Sequence, residues 1–138
     1  MFDPGFTQAI RVRGLMRMAR GDTTGVREDL RAGVANVAMQ DFGPALVAAQ
    51  AGDTTRLRAE VARQMAMLDS LDDAHLLNVA TAFVVLGQPD RALDLVVRTR
   101  WKNSNFYQNM LVWPFDLMRG RPRYERMLDE WRIPAGVR

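Results

Sequence analysis

The sequence predicts an all-α chain, and three observations carry that expectation. No segment alternates apolar and polar residues long enough to make a half-buried strand. Three short glycine-bearing turns recur, GDTT at 21–24, GDTT at 52–55 and GQPD at 87–90, with their glycines 31 and 35 residues apart. Each turn lies between two stretches of helix-forming residues: GLMRMAR, ALVAAQA and ATAFVVL before it, and VREDLRAGV, LRAEVARQM and RALDLVV after it. The pattern is helix, glycine turn, helix, three times over.

The local chemistry explains each unit. A glycine after a helix can take the left-handed conformation that closes it. Asp22, Asp53, Thr23 and Thr54 can cap the next helix, and Pro89 suits a first helical turn, where its missing N–H costs nothing. Seven positions before each glycine stands a small residue, Gly14, Ala45 or Ala80, which lets paired helices approach closely. Five positions after it stand Val26, Leu57 and Ala92, and nine after it Leu30, Val61 and Val96, an i, i+4 apolar stripe. The expected helices are 6–20, 23–38, 42–51, 54–68, 73–86 and 89–100, then shorter pieces at 105–112 and 115–119 and a last helix from Pro122 to about Trp131. Pro44 falls where the first helix of unit two should run, so that helix is expected to be short.

These features resemble the tetratricopeptide repeat, a helical hairpin of about 34 residues. Unit three carries the resemblance best, with Ala80, Phe83, Gly87, Pro89, Ala92 and Leu93 at the signature places. Units one and two depart from it, with threonine for the aromatic or proline and Val26 or Leu57 for the second small residue. The tail is similar to the closing segment of bacterial tetratricopeptide proteins, through Phe115, Asp116, Arg119, Pro122, Arg123 and Tyr124. The resemblance implies one domain over 1–138, a right-handed superhelix of three hairpins at about 7–38, 39–72 and 73–105, and C-terminal capping helices over 106–138.

Composition narrows the function. The chain has 138 residues and no cysteine, which excludes disulfides, thiol catalysis, iron–sulfur clusters and cysteine-rich zinc sites. One histidine, His75, leaves no multi-histidine metal site, and the adjacent Asp72 and Asp73 read as a helix cap. Neither Ser70 nor Ser104 has a base nearby in sequence, so no enzyme activity, cofactor or metal is expected. Arginine supplies 18 of 19 basic residues, which reconciles a net charge of +3 with a pI near 10.1. The triple-arginine face of Arg13, Arg17 and Arg20 has no interleaved aromatics, so it reads as solvated and a nucleic-acid partner is not expected. No secretory signal is visible, and the longest uncharged run, Ala74 to Pro89, is shorter than the roughly 20 residues that span a bilayer, so a cytoplasmic protein is expected.

A stack of hairpins presents a concave surface made by the first helix of each unit. Gln8, Arg11, Leu15 and Met18 from unit one fall there. So do Phe42 and Gln50, with Met39 and Leu46, from unit two, and Asn78 and Thr81, with Leu77 and Val84, from unit three. A groove part apolar and part amide suits a peptide or a partner helix, with Arg11 free to clamp a carboxylate or simply to snorkel to solvent. Apolar residues at helical spacing equally serve as core, in which case the terminal helices cover them. The expected function is a non-catalytic protein-interaction module. The alternative is the regulatory or sensing C-terminal domain of a bacterial multidomain protein such as a transcriptional regulator. The aromatic–amide loop 101–109 and Trp113, Phe115, Tyr124 and Trp131 read as a plug and anchors for the cap. An uncovered stripe at either end of the stack would favour a homodimer.

Overall fold

The computed structural model describes residues 13–31, 37–99, 111 and 113–133. Every regular element among them is helical. The first helix, α1, is described over 13–19. It is followed by α2 (Thr23–Arg31), α3 (Val37–Gln50), α4 (Thr55–Met65), a 3-10 turn (Leu68–Ser70), α5 (Asp73–Val85), α6 (Pro89–Val96), a second 3-10 turn (Phe115–Met118) and α7 (Pro122–Glu130).

The three glycine turns have one geometry. Gly21, Gly52 and Gly87 take φ of +74°, +97° and +76°. Each glycine N–H donates to the carbonyl three residues back, Met18, Ala49 or Val84, at 3.0 Å. The next N–H reaches five residues back, from Asp22 to Arg17 at 2.9 Å, Asp53 to Ala48 at 3.0 Å and Gln88 to Phe83 at 2.8 Å. That pair of bonds closes a helix on a left-handed residue and satisfies two of its last carbonyls. A Cβ at any of the three would meet nothing within 4 Å, so the backbone angle alone favours glycine there. α7 closes with the same two bonds, Arg132 to Asp129 at 2.9 Å and Ile133 to Leu128 at 3.0 Å, but here the left-handed residue is Arg132 at φ +58°.

The second helices start differently in each unit. Asp22 accepts the Gly25 N–H at 2.9 Å, and Asp53 accepts the Thr55 N–H at 3.1 Å. Thr23 is already helical, and Thr54 makes no side-chain cap bond, so neither threonine shares the capping expected of it. Pro89 opens α6, as its fixed φ allows.

Several boundaries differ from the sequence expectation. α4 ends at Met65 rather than 68, and Val37 and Ala38 belong to α3 rather than to the helix expected over 23–38. α3 runs from Val37 to Gln50 with Pro44 inside it, so the first helix of unit two is not short. Gly43 precedes that proline and has no Cβ, which removes one of the contacts that disfavour a helix before proline, while the missing N–H and the crowding of the carbonyl four residues back remain. α6 ends at Val96 rather than near 100, and the Thr99 hydroxyl donates to the Val96 carbonyl at 2.8 Å, a local bond that competes with helix continuation. The expected piece at 105–112 lies almost wholly outside the described residues, as do Trp101, Phe106 and Tyr107.

Successive helices pack on one another, α2 on α3, α3 on α4, α4 on α5 and α5 on α6, and the first helices of units two and three, α3 and α5, also touch. The repeated small positions Gly14, Ala45 and Ala80 are all buried, as are Val26, Leu57, Ala92, Val61 and Val96 on the second helices. Fully burying a leucine such as Leu57 stabilises the fold by roughly 1.5–3 kcal/mol. Phe115, Met118, Tyr124 and Leu128 carry the C-terminal cap onto this core, and Trp113 and Trp131 pack against it part-exposed. Arg123 of α7 pins the cap to α6, bonding the Asp94 carboxylate and, at 3.1 Å, the Asp90 carbonyl.

Candidate interaction surface

The residues expected on the concave face do not stand open. On α1, Leu15 and Met18 have no exposed area, and Phe42 on α3 has 1%. On α5, Asn78 and Thr81 are as buried as their apolar neighbours. From Leu76 to Val84 every residue of α5 is buried, so this helix has no solvent-facing side along that length. The Thr81 hydroxyl donates to the Leu77 carbonyl at 2.8 Å, within its own helix, so burying it leaves no donor unmet. Leu46, Leu77 and Val84 are buried as well. Gln50 is the exception: it is exposed at the C-terminal end of α3, and its Nε2 donates to the Met18 carbonyl at 2.7 Å, tying units one and two together. Gln8 and Arg11 lie outside the described residues, as does the Met39 side chain.

The triple-arginine face is likewise divided. Arg13 and Arg20 are exposed, but Arg17 is half-buried. Its Nη1 donates to the Gly25 carbonyl at 2.9 Å, and its Nε lies 3.8 Å from the Asp22 carboxylate. A Cβ on Gly25 would come within 2.5 Å of the Asp22 carboxylate and 3.0 Å of the Arg17 guanidinium, so the missing side chain makes room for this bridge between α1 and α2. Asp72 caps α5 as expected, accepting the His75 N–H at 2.9 Å and meeting His75 Nδ1 at 2.7 Å. No group of three potential metal-ligating side chains forms among the described residues.

Two features escaped the sequence reading. Gln64 on α4 is buried, with Nε2 donating to Glu60 at 3.2 Å and Oε1 lacking a partner. The bond from Arg63, helped by Gln64 and by the charges of Arg63 and Arg56, holds the Glu60 carboxyl below its ordinary 4.5 against the opposing effect of burial. The second feature is the Arg123 link to Asp90 and Asp94. Those acids stand at i and i+4 on α6, which marks a charged face, but nothing in the spacing says that the cap returns to it.

No family model matches the chain, and no curated protein or solved structure matches it either. No helix among the described residues is long and apolar enough to cross a membrane.

Proposed function

We propose that this chain is a non-catalytic protein-interaction module of the tetratricopeptide type, a right-handed stack of three hairpins with a C-terminal cap, working in the cytoplasm. The observation that carries the reading is the turn that recurs with the same two hydrogen bonds at Gly21, Gly52 and Gly87. Contact between α3 and α5 supports it too, since stacked hairpins bring first helices side by side. Hairpins related by such a repeat build an extended face that suits a peptide or a partner helix.

The burial of Leu15, Met18, Phe42, Asn78 and Thr81 sets how a peptide or helix would use the inner face. A partner reaches those residues by displacing what covers them, and first meets the exposed end of α3 at Gln50. A photo-crosslinking residue placed at Gln50, with the intact protein in its own cells, tests the reading. One recurrent protein adduct at Gln50, missing when the crosslinker stands at Arg58 on α4, is the expected result. Equal adducts at both places would remove the inner face from the function.

The second reading, a regulatory domain of a longer bacterial protein, is favoured by the docked tail, where Phe115 and Tyr124 are fully buried as anchors. An immunoblot of native cells decides it: a band well above 15.6 kDa supports that reading, and a band at that mass contradicts it.

A further inference from the structure

The cap carries arginines that the fold does not use. Arg119 and Arg121 lie in the connection leading into α7, and Arg126 lies on α7 opposite its buried stripe of Tyr124, Met127 and Leu128. All three are exposed and make no side-chain hydrogen bond or ion pair among the described residues. Their neighbour Arg123 is held by Asp90 and Asp94. Nearby acids are not paired with the three either. Glu125 accepts the Gly120 N–H at 3.0 Å, and Asp116, three residues before Arg119, keeps its Oδ1 buried with no hydrogen-bond partner.

The charges also run against the helix. Arg121 and Arg123 share the start of α7 with Glu125, and Asp129 and Glu130 stand at its end, where the helix macrodipole favours positive charge instead. In the 3-10 turn two residues before Arg119, Leu117 is 66% exposed, the largest exposure of any big apolar side chain described.

We propose that Arg119, Arg121, Arg126 and Leu117 form a docking surface for an acidic protein segment carrying an apolar anchor. The guanidinium groups match carboxylates with planar, paired hydrogen bonds, and Leu117 gives an apolar side chain something to bury against. A nucleic-acid backbone fits less well. It would run on past the patch to Asp129 and Glu130, and it has no use for an exposed leucine. The inference rests on the protein-interaction reading and assigns it a second surface, separate from the inner face at Gln50.

The test uses the intact chain and a short labelled glutamate-rich peptide containing one leucine, followed by fluorescence anisotropy. A labelled duplex DNA of similar length is the comparison probe. The wild-type protein should bind the peptide, more weakly as salt rises. Replacing Arg119, Arg121 and Arg126 together with Ala should weaken it about tenfold, and Leu117→Ser should also weaken it. Replacing the exposed Arg20, Arg27 and Arg56 with Ala removes the same charge elsewhere and should change affinity less than about twofold. Circular dichroism checks that each variant folds, and Arg126→Glu alone, an exposed change within a helix, serves if the triple variant does not. Equal losses in the two triple variants, tighter binding of DNA than of peptide, or no peptide binding would overturn the proposal. None of those results touches the crosslinking at Gln50, so the module reading stands or falls separately.

Discussion

α4 and α5 pack on each other, yet they are built on opposite principles. α4 buries only Leu57, Val61 and Gln64, a single stripe, and spends its remaining surface on Arg56, Arg58, Glu60 and Arg63. α5 is buried continuously from Leu76 to Val84, with α3, α4 and α6 all packed on it. A helix whose burial follows the 3.6-residue period announces its orientation in sequence, while one buried all round does not. The difference separates an outer helix, free to vary its surface, from a central one that every neighbour depends on.

Core truncation should expose this contrast most strongly. Phe83→Ala in α5 is expected to destabilise the protein by about 3–5 kcal/mol in denaturant unfolding. It also removes the ring that lies 4.4 Å beneath the Arg91 guanidinium. Arg58→Ala on the outside of α4 should stay within about 0.5 kcal/mol of wild type. A similar loss in both would erase the distinction between the two helices.

The helix-closing positions sharpen it next. Gly87→Ala forces a side chain into the left-handed region at the turn between α5 and α6 and should cost about 1–2 kcal/mol. Arg132 already stands in that conformation at the end of α7, so Arg132→Gly should stabilise by about 1 kcal/mol. Thermal midpoints moving in the same direction for both variants would contradict the shared turn geometry.

A smaller effect is expected in α3, which packs on both helices. Pro44 lacks the N–H that would bond within the helix. Pro44→Ala should therefore raise stability by about 1 kcal/mol, less than the full helical penalty of proline, because alanine also frees the unfolded chain. A destabilised variant would mean that packing of the half-buried ring outweighs the missing bond.

The smallest effect comes from Glu60. Its folded-state pKa is lowered mainly by the bond from Arg63, so its contribution is present above the ordinary 4.5 and fades as pH falls through the lowered value. Wild type should lose slightly more stability than Glu60→Gln between neutral pH and about pH 3. Parallel pH profiles would show that the exposed Arg63 contributes nothing through this pair.

Much of the framework was legible because it is local. The left-handed glycines, the Asp22 and Asp72 caps, Pro89 at the start of α6 and the Val26, Leu57 and Ala92 stripe each depend on residues a few positions apart. The inner face was not legible for the opposite reason. The hairpin register places Asn78 and Thr81 on the inner face but leaves open whether that face is a groove or core. Thr81 satisfies its hydroxyl on its own helix, which lets a polar residue behave as core. Whether Leu15, Met18 and Phe42 face a partner or the interior depends on what packs over them, and residue spacing within one helix carries no such information. Pro44 shows the same limit, because a helix packed on its neighbours can carry a proline that its local chemistry disfavours. The cap link from Arg123 joins residues 29 apart and needs the three-dimensional path of the chain.

The central claim is that α5 is enclosed on every side, and native-state hydrogen exchange of the free protein tests it most directly. Amides from Leu76 to Val84 should exchange only through global unfolding, while those of α4 exchange faster through partial opening. Exchange of α5 as fast as that of α4 would contradict the account, because α5 would then open readily without unfolding the helices packed around it.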